Sequence, residues 1–456
     1  MKNETYTGLT IGLSVFSAVY FLSLTSNSMF MLLSPIFILI IYFSSKRAAV
    51  SLCLLLLVTT VFFQWAIMRI TFDLHNDYYT TKNVIFSKGM LFYLFVLMFF
   101  TLFIKNIKEN IPALLIFSVL VFFSLVRSPN LGAGMLYVLN TWLPLLVLLI
   151  WCSISPDTKK QFVLEYVENA RYTLNITILL YVLFWLLNFE QLISWELSPF
   201  INYHRTGDVD DFFIGNTTKL AGSTFYRNAS IIMDPIVAGY FLSQFSFLML
   251  VLKKYLLSIF LFILMILTLS KGAFLLFFFS ALFYFSYKRL SYKTNVIMII
   301  FAIILLIFVA LNSAGKNSSY IHVLGLVAPF ASSIDVNYFI GHNISTGGGL
   351  TGSGSLGLAG GMESLVGTLQ YQMGLVGVLL YFIIFYKILR SKFSSKDEIS
   401  RIEYCTLAGS FINSFLQENA FNLPFTVIKI FAFLYLISVL NIRSTKSLME
   451  SKHAVT

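Results

Sequence analysis

The feature that most constrains this chain is a recurring one. Apolar runs of roughly 17–23 residues, the length that carries a helix across a bilayer core, follow one another over most of the sequence. A run such as SLCLLLLVTTVFFQWAIM (51–68) is apolar on every face. A membrane β-barrel strand would alternate instead, so these runs read as helices. Charged residues make up only 11% of the chain, against about 25% in a soluble domain, and mean hydropathy is +0.83. An ordinary soluble fold is excluded. The expectation is an all-α, polytopic integral membrane protein, a single transmembrane domain over 1–456 with about fourteen spans. The predicted spans are 8–24, 28–45, 48–70, 88–104, 111–126, 135–153, 173–190, 230–252, 255–269, 272–287, 294–312, 366–386, 402–417 and 425–442.

With the N-terminus placed inside, the basic residues sort themselves. Lys46-Arg47, Lys159-Lys160, Lys253-Lys254, Lys288-Arg289 and the cluster Lys387, Arg390, Lys392, Lys396 and Arg401 all fall in inside segments. This is the positive-inside pattern, and it fixes the orientation. The formal charge of +11 then serves topology, and no nucleic-acid partner is expected. The three cysteines lie within or at the ends of apolar runs, with neither a metal spacing nor a disulfide framework. MKNETYTG is barely charged and the apolar stretch after it is long enough to remain as a span, so no cleaved leader is expected.

The same topology gathers two large loops on the outer face, 193–229 and 313–365. The second contains the Gly-rich run GGGLTGSGSLGLAGG, which follows no strand and so is not a nucleotide loop. It suits close approach of a bulky polar substrate. Inside loops are short, and any chemistry faces outward.

Ionisable groups at membrane depth are costly and mark function. Arg69, Arg227, Lys271 and Lys429 map to the outer third of the membrane, and four cations at one depth suggest an anionic ligand such as pyrophosphate. Each has a plainer reading, since Lys and Arg near span ends also snorkel to the interface. Asp234, before Pro235, reads equally as a catalytic carboxylate or as the N-cap of the following span. Glu363 sits where the second loop re-enters the membrane, and Glu418 lies in the turn before the last span. His342, in a polar stretch, is a candidate base because imidazole titrates near neutrality. His322 and His342 do not share a metal-type spacing. Asp208, Asp210 and Asp211 form an acidic run that either holds a divalent metal beside a lipid phosphate or is simply solvated. Tyr203, Tyr226, Tyr320 and Tyr338 are placed to stack on sugar rings or to sit at the interface.

Three stretches in this order resemble the superfamily of O-antigen polymerases (Wzy) and O-antigen ligases. One is the loop re-entry with Arg227, Asp234, Pro235 and Gly239. Another is the span break LTLSKGA, with Lys271 where the family pattern has Arg. The third is the loop end carrying Glu363, Ser364, Gly374, Leu375 and Gly377. The resemblance covers about residues 200–390. It implies a GT-C-like glycosyltransferase of the bacterial inner membrane with its active site facing the periplasm. The implied substrate is an undecaprenyl-pyrophosphate-linked oligosaccharide, with membrane lipids around it and a chain-length regulator and a flippase as protein partners. No nucleotide sugar and no metal or other cofactor is implied. Ligases carry a His where Glu363 stands here, which favours a polymerase. In that reading Glu363 is the general base, with His342 and Asp234 as further catalytic candidates, and Arg227, Lys271, Lys429 and Arg69 meet the departing pyrophosphate. The alternatives are a ligase acting on lipid A–core and a flippase or transporter of lipid-linked sugars. A transporter is expected to show matched helix breaks in two halves and loops on both faces.

Overall fold

A computed structural model of the chain describes residues 36, 38–64, 66, 67, 70, 89, 91–98, 111–167, 170–189, 217–220, 223–227, 230–232, 234–312, 318–345, 363–395 and 397–453. Among the described residues, four helices are long and apolar enough to cross a membrane: Leu131–Ser153, Tyr292–Leu311, Leu365–Ser394 and Leu423–Asn441. Shorter apolar helices stand at Leu115–Val126, Arg171–Leu186, Pro235–Val251, Tyr255–Leu267 and Lys271–Ser286. Along Tyr292–Leu311 the side chains of Ile297, Ile300, Phe301, Ile304 and Phe308 are all exposed. So much hydrocarbon on one element demands an apolar surrounding. The chain is an α-helical membrane protein.

The chain divides into two compact units. One comprises Met1–Ile104, Asp157–Ser270 and Val427–Thr456; the other comprises Lys105–Pro156 and Lys271–Thr426.

In the first unit, helix α1 (Lys46–Phe62) begins where the Ser45 hydroxyl accepts from the Ala48 amide at 3.3 Å. Helices α5 (Pro156–Tyr166) and α6 (Ala170–Phe189) follow the segment belonging to the second unit. Next comes an antiparallel hairpin, β1 (Thr217–Leu220) on β2 (Ser223–Tyr226), in which Thr217 faces Tyr226. This hairpin falls within the loop predicted at 193–229 and adds strand to a fold expected from sequence to be all-α. Helix α7 (Pro235–Val251) turns back at Lys253, whose φ of 62° closes a tight connection to α8 (Tyr255–Leu267). The pair is fastened by reciprocal bonds. Ser246 Oγ donates to the Ser258 carbonyl at 2.7 Å, and Ser258 Oγ donates to the Ser246 carbonyl at 2.8 Å. Aromatic rings fill the core. Phe62 lies 4.9 Å from Phe241 and 5.5 Å from Phe431, and Phe245 lies 4.8 Å from Phe241.

In the second unit, α2 (Ile111–Val126) leads to α3 (Leu131–Tyr137), a π-helical turn at Val138–Trp142, and α4 (Leu143–Ser153). Pro144 has no amide to donate, and the helix widens just ahead of it. Helices α9 (Lys271–Ser286) and α10 (Tyr292–Leu311) come next. The second large loop is more than a loop. It holds α11 (Ser318–Val327) and the short α12 (Val336–Ile340), while its Gly-rich run lies outside the described residues. Helix α13 (Leu365–Ser394) is kinked at Gly374, where φ is 67°, and α14 (Glu398–Asn413) packs on α9. A Cβ on Gly409 would come within 2.8 Å of Ser280 Oγ, so a glycine is what lets α14 and α9 approach. A 3₁₀ turn at Glu418–Phe421 precedes α15 (Leu423–His453), most of which belongs to the first unit.

Lys392, grouped by sequence with the solvated inside cluster, is buried. Its Nζ lies 2.7 Å from Glu403 Oε2 and 3.5 Å from the Ile154 carbonyl, and Trp151 Nε1 donates to Glu403 Oε1 at 3.1 Å. The pair joins α4, α13 and α14. Glu403→Ala leaves the Lys392 ammonium buried and uncompensated and should cost about 3–5 kcal/mol. The double variant Lys392→Met/Glu403→Gln should recover most of that loss, as read from thermal midpoints of the detergent-purified protein and its variants.

Candidate active site

The span break LTLSKGAF is real. Helix α8 ends at Leu267, Leu269 takes a φ of 51°, and α9 starts at Lys271. Its two sides belong to different units, and so do the candidate residues. Arg227, Asp234 and Lys429 lie in the first unit; Lys271, His342 and Glu363 lie in the second. Arg69 and the acidic run Asp208–Asp211 lie outside the described residues, as does Tyr203.

In the first unit, Asp234 is an N-cap. Its Oδ1 accepts from the amides of Ile236 at 2.7 Å and Val237 at 3.2 Å, with Pro235 in the first turn. Arg227 is half-buried and donates from Nε to the Thr268 carbonyl at 2.9 Å, so it ties the loop re-entry to the end of α8. Lys429 is buried on α15, with its ammonium 5.9 Å from the centre of the Tyr240 ring. A cation that deep sits on the electron-rich face of an aromatic ring at a distance where attraction is appreciable.

In the second unit, the first turn of α13 gathers a different group. Ser364 caps the helix, its Oγ accepting from the Gly367 amide at 3.2 Å. The Glu363 carbonyl accepts from the Glu418 amide at 2.7 Å, which fixes the backbone of Glu363 against the turn before α15. Helix α11 crosses this turn so closely that a Cβ on Gly367 would lie 2.0 Å from the Gly325 carbonyl oxygen. That crossing brings His322 to Glu363, with Nδ1 2.8 Å from Oε2. The contact is one of proximity, because its angle falls short of an aligned hydrogen bond. On its other side His322 Nε2 lies 3.3 Å from Gln417 Nε2. If the Gln417 amide donates, the imidazole proton sits on Nδ1, the nitrogen nearer the carboxylate. The Glu363 side chain is 41% exposed and that of His322 13%, so the carboxylate faces outward and the imidazole backs it. Lys271 is exposed at the start of α9, and its ammonium and the Glu363 carboxylate attract one another. Asn413 Nδ2 donates to the Gly272 carbonyl at 3.3 Å and holds the start of α9 to the end of α14.

His342 has other neighbours. Its ring stacks on Tyr371 with centroids 4.6 Å apart, and its amide donates to the Tyr371 carbonyl at 2.8 Å. This is part of a clamp at the α13 kink. Arg127 donates to the Gly341 carbonyl at 2.7 Å and to Asn337 Oδ1 at 2.8 Å, and Gln370 donates to the Tyr338 carbonyl at 3.0 Å. The two left-handed glycines make the clamp possible. A Cβ on Gly341 would come within 2.2 Å of the Gln372 carbonyl oxygen, and one on Gly374 within 2.3 Å of the Phe339 carbonyl group. Asp335 caps α12, and the Tyr338 amide that it accepts holds its carboxyl below the usual carboxylate range. Beneath lies a buried polar network. Tyr137 donates to Glu418 at 2.6 Å, Trp142 Nε1 donates to Gln372 Oε1 at 2.9 Å, and Ser124 Oγ donates to the Gln372 carbonyl at 2.7 Å. Glu418, a candidate from the sequence, is thus a buried acceptor.

His322 is the residue that sequence reasoning passed over as a site member. Its one signal is an imidazole in the polar stretch SSYIHVLG of the second loop. The arrangement of Glu363, His322, Gln417 and Lys271 offers a positioned carboxylate able to take a proton, within electrostatic reach of a cation able to meet negative charge.

Comparison with protein-family models, with curated proteins and with solved structures finds no match to this chain.

Gly367→Ala should separate α11 from α13, because the obstructing atoms are backbone and cannot step aside. A loss of about 1–3 kcal/mol is expected, seen as a lowered thermal midpoint. Gly132→Ala is the control: a Cβ there would only make ordinary contact, 3.5 Å from Asn130 Oδ1, and the midpoint should stay close to that of the parent.

Proposed function

We propose that this chain is a membrane glycosyltransferase of the polysaccharide-polymerase kind, working at the periplasmic face of the bacterial inner membrane. Its donor is a growing glycan on undecaprenyl pyrophosphate, and its acceptor is a sugar hydroxyl of another lipid-linked repeat unit. The observation that carries the reading is the outward-facing Glu363 carboxylate backed by His322 at the end of an apolar helix, with Lys271 within its electrostatic reach. A carboxylate kept in place within reach of a lysine's charge, at the end of an apolar helix, suits a reaction between two lipid-anchored sugars.

In this mechanism Glu363 takes the proton of the acceptor hydroxyl. The freed oxygen attacks the anomeric carbon of the donor and the bond from that carbon to the pyrophosphate oxygen breaks. Undecaprenyl pyrophosphate departs with the electron pair, its charge met by Lys271. Because pyrophosphate is already a good leaving group, no general acid is required. His322 is a positioning residue that holds the carboxylate toward the acceptor. The cation is drawn from the same unit as the base.

The test is chain growth by the full-length protein in proteoliposomes given lipid-linked repeat unit and no nucleotide sugar. A ladder of lengthening glycans is expected, and Glu363→Gln should lower turnover by about 10²–10⁴-fold, the usual contribution of a general base. Lys271→Met should lower turnover with little effect on acceptor KM. A ladder from Glu363→Gln at the parent rate removes Glu363 from the mechanism. Movement of the substrate across the bilayer without chain growth identifies a transporter, and transfer only to added lipid A–core identifies a ligase.

A further inference from the structure

The basic residues around the far end of α13 are used in different ways. Lys392 turns inward and is matched by Glu403. Arg401 places its guanidinium 3.8 Å from the centre of the Tyr284 ring and donates to the Tyr284 carbonyl at 2.7 Å. Lys387 and Arg390 are exposed, and among the described residues neither is ion-paired. Helix α13 itself contains no acidic residue.

These two cations line a cleft of about 710 Å³ together with Phe382, Ile383, Tyr386 and Ser391. The positions recur at i and i+4, so they form one stripe along the helix. The stripe is graded. Phe382 and Ile383 make its apolar end, Tyr386 and Lys387 its middle, and Arg390 and Ser391 its basic and hydroxylic end. From Phe382 to Ser391 the rise is about 14 Å. The backbone here is well held. Tyr292, the first residue of α10, donates to the Tyr386 carbonyl at 3.1 Å, and its phenol interacts electrostatically with Arg390. Tyr287 donates to the carbonyls of Phe393 at 2.8 Å and Ser395 at 2.7 Å.

Depth fits as well. Measured along the helix, the segment from Leu365 to Tyr386 is about 32 Å long, close to the roughly 30 Å of a bilayer core. Val376, Leu379 and Ile383 along it are exposed, as lipid-facing side chains are. Lys387 and Arg390 therefore stand at head-group level, at the end of α13 opposite Glu363. A ligand that is hydrocarbon at one end and anionic within about 12 Å of it matches this gradient.

We propose that this cleft binds an anionic phospholipid of the surrounding bilayer, with its phosphate on Lys387 and Arg390 and an acyl chain along Phe382 and Ile383. The site is independent of the proposed transferase chemistry, because it lies at the other end of the helix and uses none of the same residues.

The experiment uses delipidated full-length protein in detergent, with lipid retention measured by native mass spectrometry. The probes are phosphatidylglycerol, phosphatidylcholine and inorganic phosphate. Phosphatidylglycerol should be retained, phosphatidylcholine at least about tenfold less, and inorganic phosphate should not compete. Lys387→Met/Arg390→Met should lose at least about tenfold in phosphatidylglycerol affinity, as expected for two surface cations facing an anionic head group, with an unchanged thermal midpoint. Ser391→Asp, which places a carboxylate in the stripe, should weaken retention in the same direction. Equal retention of the two lipids would show unspecific lipid association and overturn the proposal. Competition by inorganic phosphate would show a free-anion site, and unchanged retention by the double variant would place the lipid elsewhere; either result also overturns it.

Discussion

The second unit depends on backbone meeting backbone. At Gly367 and at the pair Gly341 and Gly374, the chain passes so close to itself that no side chain fits. In hydrocarbon, water gives helices no reason to associate, so close packing and internal hydrogen bonds must do it. The absence of three Cβ atoms brings α11 and the α12 segment down onto α13. With that approach come His322 to Glu363 and His342 to Tyr371. The polar cluster at the start of α13 is thus a product of packing, and its chemistry is only as well positioned as those glycine contacts.

Much of the fold is legible in the sequence, and for a physical reason. A bilayer forces each crossing segment to satisfy its own backbone, so span position follows from local composition. The run 111–126 is helix Ile111–Val126, and the run 255–269 ends as helix at Leu267, where the polar LTLSK interruption sits. Asp234-Pro235 carries its capping role in two adjacent residues, and the structure shows that role directly. The second large loop is less legible. Its helices Ser318–Val327 and Val336–Ile340 are short, and they are held by contacts with α13 that no local pattern reveals.

The candidate site is legible in parts. Glu363 and Lys271 stand out because a charge at the edge of a hydrophobic span is conspicuous wherever it occurs. Their companions do not. Gln417 is an ordinary polar residue in a turn, and His322 gains meaning only from the α11 crossing. Arg127, in the short polar turn RSPN, reads as a loop residue, yet it grips Gly341 and Asn337 across a large separation in sequence. Lys392 lies among basic neighbours that face outward, and only burial and the carboxylate of Glu403 distinguish it. Sequence reports the cost of placing a group in the membrane, and three-dimensional packing reports which group answers it.

The reciprocal serine bonds between α7 and α8 have a consequence for how the protein is made. Ser246 and Ser258 each spend their hydroxyl proton on the carbonyl of the other. A nascent pair of helices closed in this way offers lipid a surface with those two hydroxyls already satisfied. The two segments can leave the insertion machinery together, as one hairpin turned at Lys253. Partition into the bilayer is then a decision about two helices at once.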